Sequence, residues 1–398
     1  MIKKYFLFFC YIKVTEMFFE KEKTDILQNP EFQNSSLGIH VSKNGVSFCL
    51  HPAYQDVSFS YVQTFKGAFP KDEIIKMVKE LDEMLKKHEV HVLATTFSFP
   101  GPINKNTVEI PNWWATGESK FSVDDFKGLE LSKNNVNFIN EIQALGHGLI
   151  STDEFYGLED DFISLWKPPA MDVMPTLYPL YFSSETATVI QVAFGLGSAF
   201  IAPIDSPDSY RVIASEWGHS IVHLCGPDEQ GYNDELDLID FISQNKEGRA
   251  VEWEDICSIR GLKNCYEYEM KKNHLDIDPK LDILKEIEKD PTEPISSKAL
   301  STHFKFLMRF ARMCAISFTC KCVFITYSVF QGGTQTLQNH IAMCRDEFMH
   351  FTKNEWVSNV SVFVQTSDKN ISSIGVMYHA FLGLFRSNKE GNFLTEWL

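Results

Sequence analysis

The stretch Val136-Asn-Phe-Ile-Asn-Glu-Ile-Gln-Ala-Leu-Gly-His-Gly-Leu149 decides the fold class. It opens as a run of β-branched and aromatic residues, closes that run in the pair Asn140-Glu141, and continues with small and apolar residues at helical spacing. The pattern reads as a buried strand that delivers two polar side chains to its carboxyl edge, where a helix begins. In open α/β sheets that edge is where ligands bind.

Upstream, Leu37 to Leu50 and Val57 to Thr64 alternate in the manner of strands, with a Pro-containing turn between them, and predict a hairpin. Lys71 to His88 places Ile74, Ile75, Met77, Val78, Leu81, Met84 and Leu85 on one helical stripe. Val90 to Phe97 is apolar enough for a strand buried on both faces, and Ser98-Phe-Pro-Gly-Pro102 ends it. Downstream, Phe155 to Tyr181 is aromatic, Pro-rich and irregular. Thr186 to Pro203 predicts two strands around a Gly-x-Gly turn. Glu267 to Ser297 reads as a charged surface insertion, Thr302 to Thr319 as a buried helix, Lys321 to Tyr327 as a strand and Ser372 to Arg386 as a helix rich in small residues. Hairpin, helix, strand and helix in this order predict an α/β chain.

The chain has 398 residues, enough for two packed domains. Its formal charge of -16 and pI near 5.2 argue against a nucleic-acid footprint and against docking on an anionic membrane. Nine cysteines without a regular spacing read as reduced, mostly buried thiols, and no Cys/His cluster has zinc-ligand spacing, so no metal site is assigned. Lys3-Lys4 before the apolar run Tyr5–Ile12 has the order of a signal peptide, but the run is short and no small-residue cleavage site follows. The alternative is that translation starts at Met17. Residues 17–36 read as a loose polar arm. Together these features read as a cytoplasmic protein.

Several segments resemble the bacterial-type glucokinases. Asn140-Glu141 stands where that family carries an Asn-Asp pair that holds the sugar and deprotonates its primary hydroxyl. Thr96-Phe-Ser-Phe-Pro-Gly-Pro-Ile103 resembles the strand and loop leading to the sugar, and Ile110-Pro-Asn-Trp-Trp114 the segment whose Asn touches a hydroxyl. Ser215-Glu-Trp-Gly-His219 resembles the Glu-Gly-Gly-His motif. Glu254-Asp-Ile-Cys-Ser-Ile-Arg-Gly-Leu262 resembles Glu-x-x-x-Ser-Gly-x-Gly-Leu. The resemblance implies that Asn112, Asn140, Glu141, Glu216, His219 and Glu254 ring a glucose or similar hexose, with Glu141 as base. Amides and carboxylates suit a ligand made of hydroxyls, each both donor and acceptor.

The phosphate elements depart from the family. Its Asp-x-Gly-Gly-Thr-Asn hairpin becomes His40-Val-Ser-Lys-Asn-Gly45, with His40 for the metal-positioning Asp and Ser42 and Lys43 for the glycines. Lys43 and Asn44 offer side chains to a phosphate, while Asn-Gly also suits a plain hairpin turn. Gly-Thr-Gly-Leu-Gly becomes Ala193-Phe-Gly-Leu-Gly197, keeping Gly195 and Gly197 but placing Phe194 at the hydroxyl residue. The adenosine-side Ala-Gly-Gly becomes Thr326-Tyr-Ser328, so Tyr327 and Ser328 add volume where the family keeps backbone.

The resemblance implies a two-lobed α/β chain of the ribonuclease-H-like (actin-like ATPase) fold. Residues 1–36 would be an extension, 37–139 a small lobe completed by a helix near 374–388, and 140–373 a large lobe with insertions near 155–185 and 267–300, with hexose bound in the cleft between lobes. Family behaviour implies a homodimer. Two functions follow: a hexose-binding relative with impaired catalysis, or an active glucokinase that uses Mg-ATP through a divergent donor site. A sugar-responsive transcription regulator would need a helix-turn-helix and a zinc-ligating Cys cluster, and neither is visible.

Overall fold

The computed structural model describes residues 10–12, 25–53, 60–111, 113–155, 157–166, 186–204, 210–352 and 354–387. The chain falls into two compact units, residues 1–158 with 369–398, and residues 159–368.

The first unit carries β1 (Cys10–Ile12), β2 (Asn34–Ser42), β3 (Gly45–Pro52), β4 (Tyr61–Lys66), helix α1 (Lys71–Lys87), β5 (His91–Phe99), a small three-stranded sheet of β6 (Ile103–Asn104), β7 (Thr107–Glu109) and β8 (Lys120–Ser122), then β9 (Asn135–Asn140) and α2 (Glu141–Phe155). The main sheet has the order β1-β4-β3-β2-β5-β9. β2, β3 and β4 form an antiparallel meander, and β5 and β9 add in parallel beside β2. Alternation sorts the faces. Leu37, Ile39, Val41, Phe97 and Phe99 enter one core with Ile74, Met77, Val78, Leu81 and Leu85 of α1. Gly38, His40, Thr96 and Ser98 lie on the other face.

Three expectations change here. Leu37 to Leu50 is not one strand of a hairpin but two, split at Lys43-Asn44, because Ser42 pairs with Gly45 across a tight turn. Gly45 closes against β4, where a Cβ would lie 2.1 Å from the Phe65 carbonyl oxygen. The arm expected over 17–36 is structured from residue 25 on: Leu27 and Phe32 are buried in the core, and Asn29 caps the 3-10 turn Pro30–Phe32. β1, within the expected extension, is the edge strand and pairs in parallel with β4.

The second unit carries β10 (Phe162–Trp166), β11 (Ala187–Val192), β12 (Leu196–Pro203), β13 (Tyr210–Ser215), α3 (Tyr232–Asn245), α4 (Ile259–Lys272), α5 (Ile283–Lys289), α6 (Pro294–Ser317), β14 (Cys322–Tyr327), α7 (Gly333–Asn339), α8 (Ile341–Met349), α9 (Asn354–Val357) and β15 (Ser361–Gln365). The order is β10-β15-β14-β11-β12-β13, again a meander (β11 to β13) with two parallel strands, β14 and β15, beside its first member. Each unit thus repeats the ribonuclease-H-like strand order. α6, entered through Pro294 and capped by Glu293, buries Phe304, Phe306, Leu307 and Phe310. The charged segment around 267–300 is anchored by Ile283, Ile287 and Ile295, which reach the same core. Most of the irregular stretch from 155 to 185 lies outside the described residues.

α10 (Ile371–Ser387) returns the chain to the first unit. It lies so close to α2 that a Cβ on Gly148 would sit 2.0 Å from the Ile371 oxygen, and one on Gly375 1.7 Å from the Ala144 oxygen. This seam explains the small residues of both helices. It also moves a boundary: α2, expected at the start of the large lobe after residue 139, belongs with the first unit, and the break falls after Leu158. The eight cysteines with described side chains are free, and seven of them are buried. No helix among the described residues is long and apolar enough to cross a membrane.

Candidate active site

In the first unit the parallel register brings His40 of β2 opposite Ser98 of β5, and Phe99 opposite Asn140 of β9. The carboxyl ends of three parallel strands therefore carry His40, Ser98 and Asn140, and Glu141 opens α2. The Asn140 amide is committed locally: its Oδ1 accepts from the Ile142 N–H at 2.8 Å and its Nδ2 donates to the Gly101 carbonyl at 2.7 Å. Asn140 thereby caps the helix and fixes how Glu141 leaves the sheet. His40 Nδ1 lies 2.8 Å from Ser98 Oγ, and His40 Nε2 lies 4.0 Å from Glu141 Oε1. Burial pushes the His40 imidazole down to about 4, so it is neutral at physiological pH.

Two residues past His40, Ser42 Oγ donates to the Gly45 carbonyl, and the Gly67 N–H bonds to the Asn44 oxygen. Lys43 and Asn44 are the exposed turn residues. Asn112 lies outside the described residues.

The second unit gathers Glu216, His219 and Glu254 around the turn that joins β11 to β12. His219, in the 3-10 turn Trp217–His219, bonds through Nδ1 to Glu252 Oε2 at 3.0 Å. Partial burial pulls its pKa down, but the Glu252 bond and the charges of Glu254, Glu252 and Glu216 more than offset this and raise it. Glu254, in the 3-10 turn Trp253–Asp255, is only 6% exposed. Its Oε2 accepts from the Leu196 N–H at 3.1 Å, and its Oε1 accepts from Arg260 at 3.0 Å. Each oxygen thus has one further lone pair for a ligand.

The turn itself, Ala193-Phe-Gly195, is held from several sides. The Ile259 N–H donates to the Ala193 oxygen, and the Ala193 N–H to the Gly195 oxygen. A Cβ on Gly195 would lie 2.6 Å from Glu254 Oε2, and one on Gly218 2.0 Å from the Leu196 oxygen. A Cβ at Gly195 would have to displace the Glu254 carboxylate, whatever that glycine does for a nucleotide. Gly197 pairs with Gln191 inside the hairpin, and Phe194 is 44% exposed at its tip.

Tyr327 departs from the crowding expected of it. It is buried, its hydroxyl lies 3.1 Å from His303 Nε2, and its ring fills the space beside Gly333. His303 Nδ1 donates to the Ile256 carbonyl at 2.6 Å, leaving Nε2 to accept the phenol. Only Ser328 is exposed at the strand end.

Three residues to which the sequence reading gave no role also matter: Ser98, Glu252 and Arg260. Ser98 had a signal, because Phe97 and Phe99 going to the core sends Ser98 to the opposite face. Arg260 bridges Glu254 and Asp255 within one turn of helix start, which the spacing alone does not reveal.

The Glucokinase family model matches residues 54–341. Among relatives, Glucokinase 1 of Trichomonas vaginalis is 27% identical over 360 residues, covering 86% of this chain and 92% of that protein. Among solved structures, the glucokinase of Balamuthia mandrillaris in complex with glucose superposes with a TM-score of 0.78 at 22% identity, covering 91% of this chain and 99% of that one. The glucokinase of Leishmania braziliensis gives 0.72 at 16% identity, covering 87% and 93%. At these identities the solved structures establish the fold, the ribonuclease-H-like (actin-like ATPase) architecture.

Proposed function

The chain belongs to the glucokinase family, and on that premise we propose that it binds a hexose, glucose first, while phosphoryl transfer from Mg-ATP is slow or absent. The family motifs supply the candidate sugar ligands: Asn112, Asn140, Glu141, Glu216, His219 and Glu254. The protein is cytoplasmic, and family behaviour makes it a homodimer. Glu141 takes the proton of the primary hydroxyl in any transfer that occurs.

The observation that carries this reading is the cluster around His219: Glu252 bonds its Nδ1 at 3.0 Å, and the charges of Glu254 and Glu216 act on the same imidazole. Charges of that density at a sheet end suit a ligand made of hydroxyls. The donor side has changed in kind. His40 is a neutral imidazole where a metal-positioning carboxylate is implied, Lys43 and Asn44 close a tight turn, and Phe194 presents a ring at the second turn. Phosphoryl transfer depends on positioning and on charge at the moving group, and both are touched. Glu141 adds a methylene to the implied base, and a misplacement of about 1 Å can cost roughly a hundredfold in rate.

A second reading, an active glucokinase with a divergent donor site, is favoured by one observation: Tyr327 is buried against His303 and leaves Ser328 alone at the exposed strand end. The relatives named above, the Trichomonas glucokinase among them, make this the natural alternative.

Calorimetry with glucose and no nucleotide tests the hexose assignment. Wild type gives a binding heat, and Glu216→Ala weakens it. Folded wild type with no heat at millimolar glucose removes the proposal, and equal affinity in the variant removes Glu216 from the site.

A further inference from the structure

We propose that His40 is a positioning residue for Glu141: a buried, uncharged imidazole, oriented by Ser98, whose Nε2–H is aimed at the carboxylate that serves as base. This rests on the role of Glu141 given above and deepens it. His40 and Ser98 are register partners on parallel strands, both essentially buried, and their side chains meet at 2.8 Å. The other ring nitrogen faces Glu141 Oε1 at 4.0 Å.

A neutral imidazole has one N–H and one lone pair. When the Ser98 hydroxyl donates to Nδ1, the proton sits on Nε2 and points at the carboxylate. The opposite tautomer would set a lone pair against a carboxylate, so the charge of Glu141 itself selects the arrangement. Burial keeps a second proton off the ring.

Among the described residues, the neighbouring elements bring no second charge against His40. Its register partner on β3 is Ser47, bonded to Thr64, and β9 ends in the committed amide of Asn140. α10 brings His379 to Thr96, and α2 brings His147 beside His379, their ring centroids 4.9 Å apart. The same helices carry Tyr378, whose hydroxyl donates to Glu154, and β3 carries the buried Cys49 and His51 further along this face. The carboxylate that faces the His40 ring is that of Glu141.

The two departures from the implied family pair therefore compensate each other. A glutamate reaches further toward position 40 than an aspartate does, and a carboxylate there would meet it as a like charge in buried surroundings. A histidine meets it as a donor. In the transfer step the hexose hydroxyl proton passes to Glu141 as its oxygen bonds to phosphorus and the bond from phosphorus to the donor's leaving oxygen breaks. His40 gains and loses no proton in that step.

The test reads Glu141 directly in the sugar-free full chain, by carboxyl NMR with ¹³C-labelled glutamate, the resonance assigned through its loss in Glu141→Gln. Relative to wild type, His40→Asp moves the Glu141 titration midpoint upward by about one pH unit or more, as a like charge nearby requires. His40→Phe keeps a ring, removes both nitrogens and also moves the midpoint upward, so a misfolded aspartate variant leaves the proposal open to refutation. His40→Asp should also weaken glucose binding at pH values below the Glu141 midpoint, by a factor that approaches about tenfold there when the midpoint rises one pH unit. In the double variant His40→Asp with Glu141→Asp the shorter acid withdraws from its neighbour, so that penalty shrinks. An unmoved Glu141 titration in both single variants overturns the proposal. Absence of glucose heat with the NMR changes present would overturn the hexose reading instead and leave the His40–Glu141 pairing standing.

Discussion

The two units repeat one strand order, yet the hairpins that open their meanders are built in opposite ways. In the first, Ser42 to Gly45 closes on itself and on β4, through the Ser42 hydroxyl, the Asn44 carbonyl and the fit of Gly45 against Phe65. In the second, Val192 to Leu196 is held by the residues assigned to the sugar: Glu254 takes the Leu196 N–H, and Gly218, between Glu216 and His219, lies against the Leu196 carbonyl. A shared scaffold thus carries one turn closed by its own backbone and β4 and one turn fastened to residues assigned to the sugar. Function is settled at these edges rather than by the fold.

The largest effect expected from this difference comes from Gly218→Ala. The added methyl meets the Leu196 carbonyl oxygen at 2.0 Å, where backbone faces backbone on both sides. Urea unfolding should show a loss of about 2–4 kcal/mol, accompanied by weaker glucose binding. A stability within experimental error of wild type would mean that the second turn is not held as described.

Next comes the contrast between Glu254→Ala and Lys43→Ala. The first leaves the Leu196 N–H buried without its acceptor and deprives Arg260 of one of its two carboxylates, a loss of about 1–3 kcal/mol. The second alters an exposed residue of a turn that the Ser42 hydroxyl and the Asn44 carbonyl hold closed, and should cost less than the first. Similar losses in both variants, measured by the same unfolding experiment, would erase the distinction between the hairpins.

Much of this was legible in the chain. The strand ending at Asn140-Glu141, the stripe of α1 and the alternation of β2 follow from periodicity, because one face of each is apolar and the other is not. The direction of Tyr327 was not legible. β14 is buried along its whole length, so no alternation marks which side a residue takes, and only the bond from the Tyr327 hydroxyl to His303 settles it. Nor was the attachment of α2 to the first unit, since the partner that fixes it, α10, comes from the far end of the chain. Gly195 looked like a nucleotide residue by motif, while in space it makes room for the Glu254 carboxylate. Motif position and physical duty part where one turn serves two neighbours.

A smaller effect separates the two histidines. His40, held down to about 4, contributes stability that is present above pH 6.5 and lost as the pH falls through about 4. His219, raised, contributes stability that is full below pH 6.5 and lost as the pH rises through its folded-state value. Melting temperatures from pH 4.5 to 8.5 should therefore show His219→Gln losing more at the acid end and His40→Phe losing more at the alkaline end. The same trend in both would contradict the assigned environments.

A retained hexose site beside an altered donor side is tested most sharply by glucose 6-phosphate formation, using the pure full-length protein with glucose and Mg-ATP. The expected result is slow or undetectable product under conditions where glucose binds. His40→Asp alone should not rescue it, because the turns at Lys43-Asn44 and Phe194 remain. Robust product formation by the wild type, abolished in Glu141→Gln, would contradict this and establish an active glucokinase with Glu141 as its base.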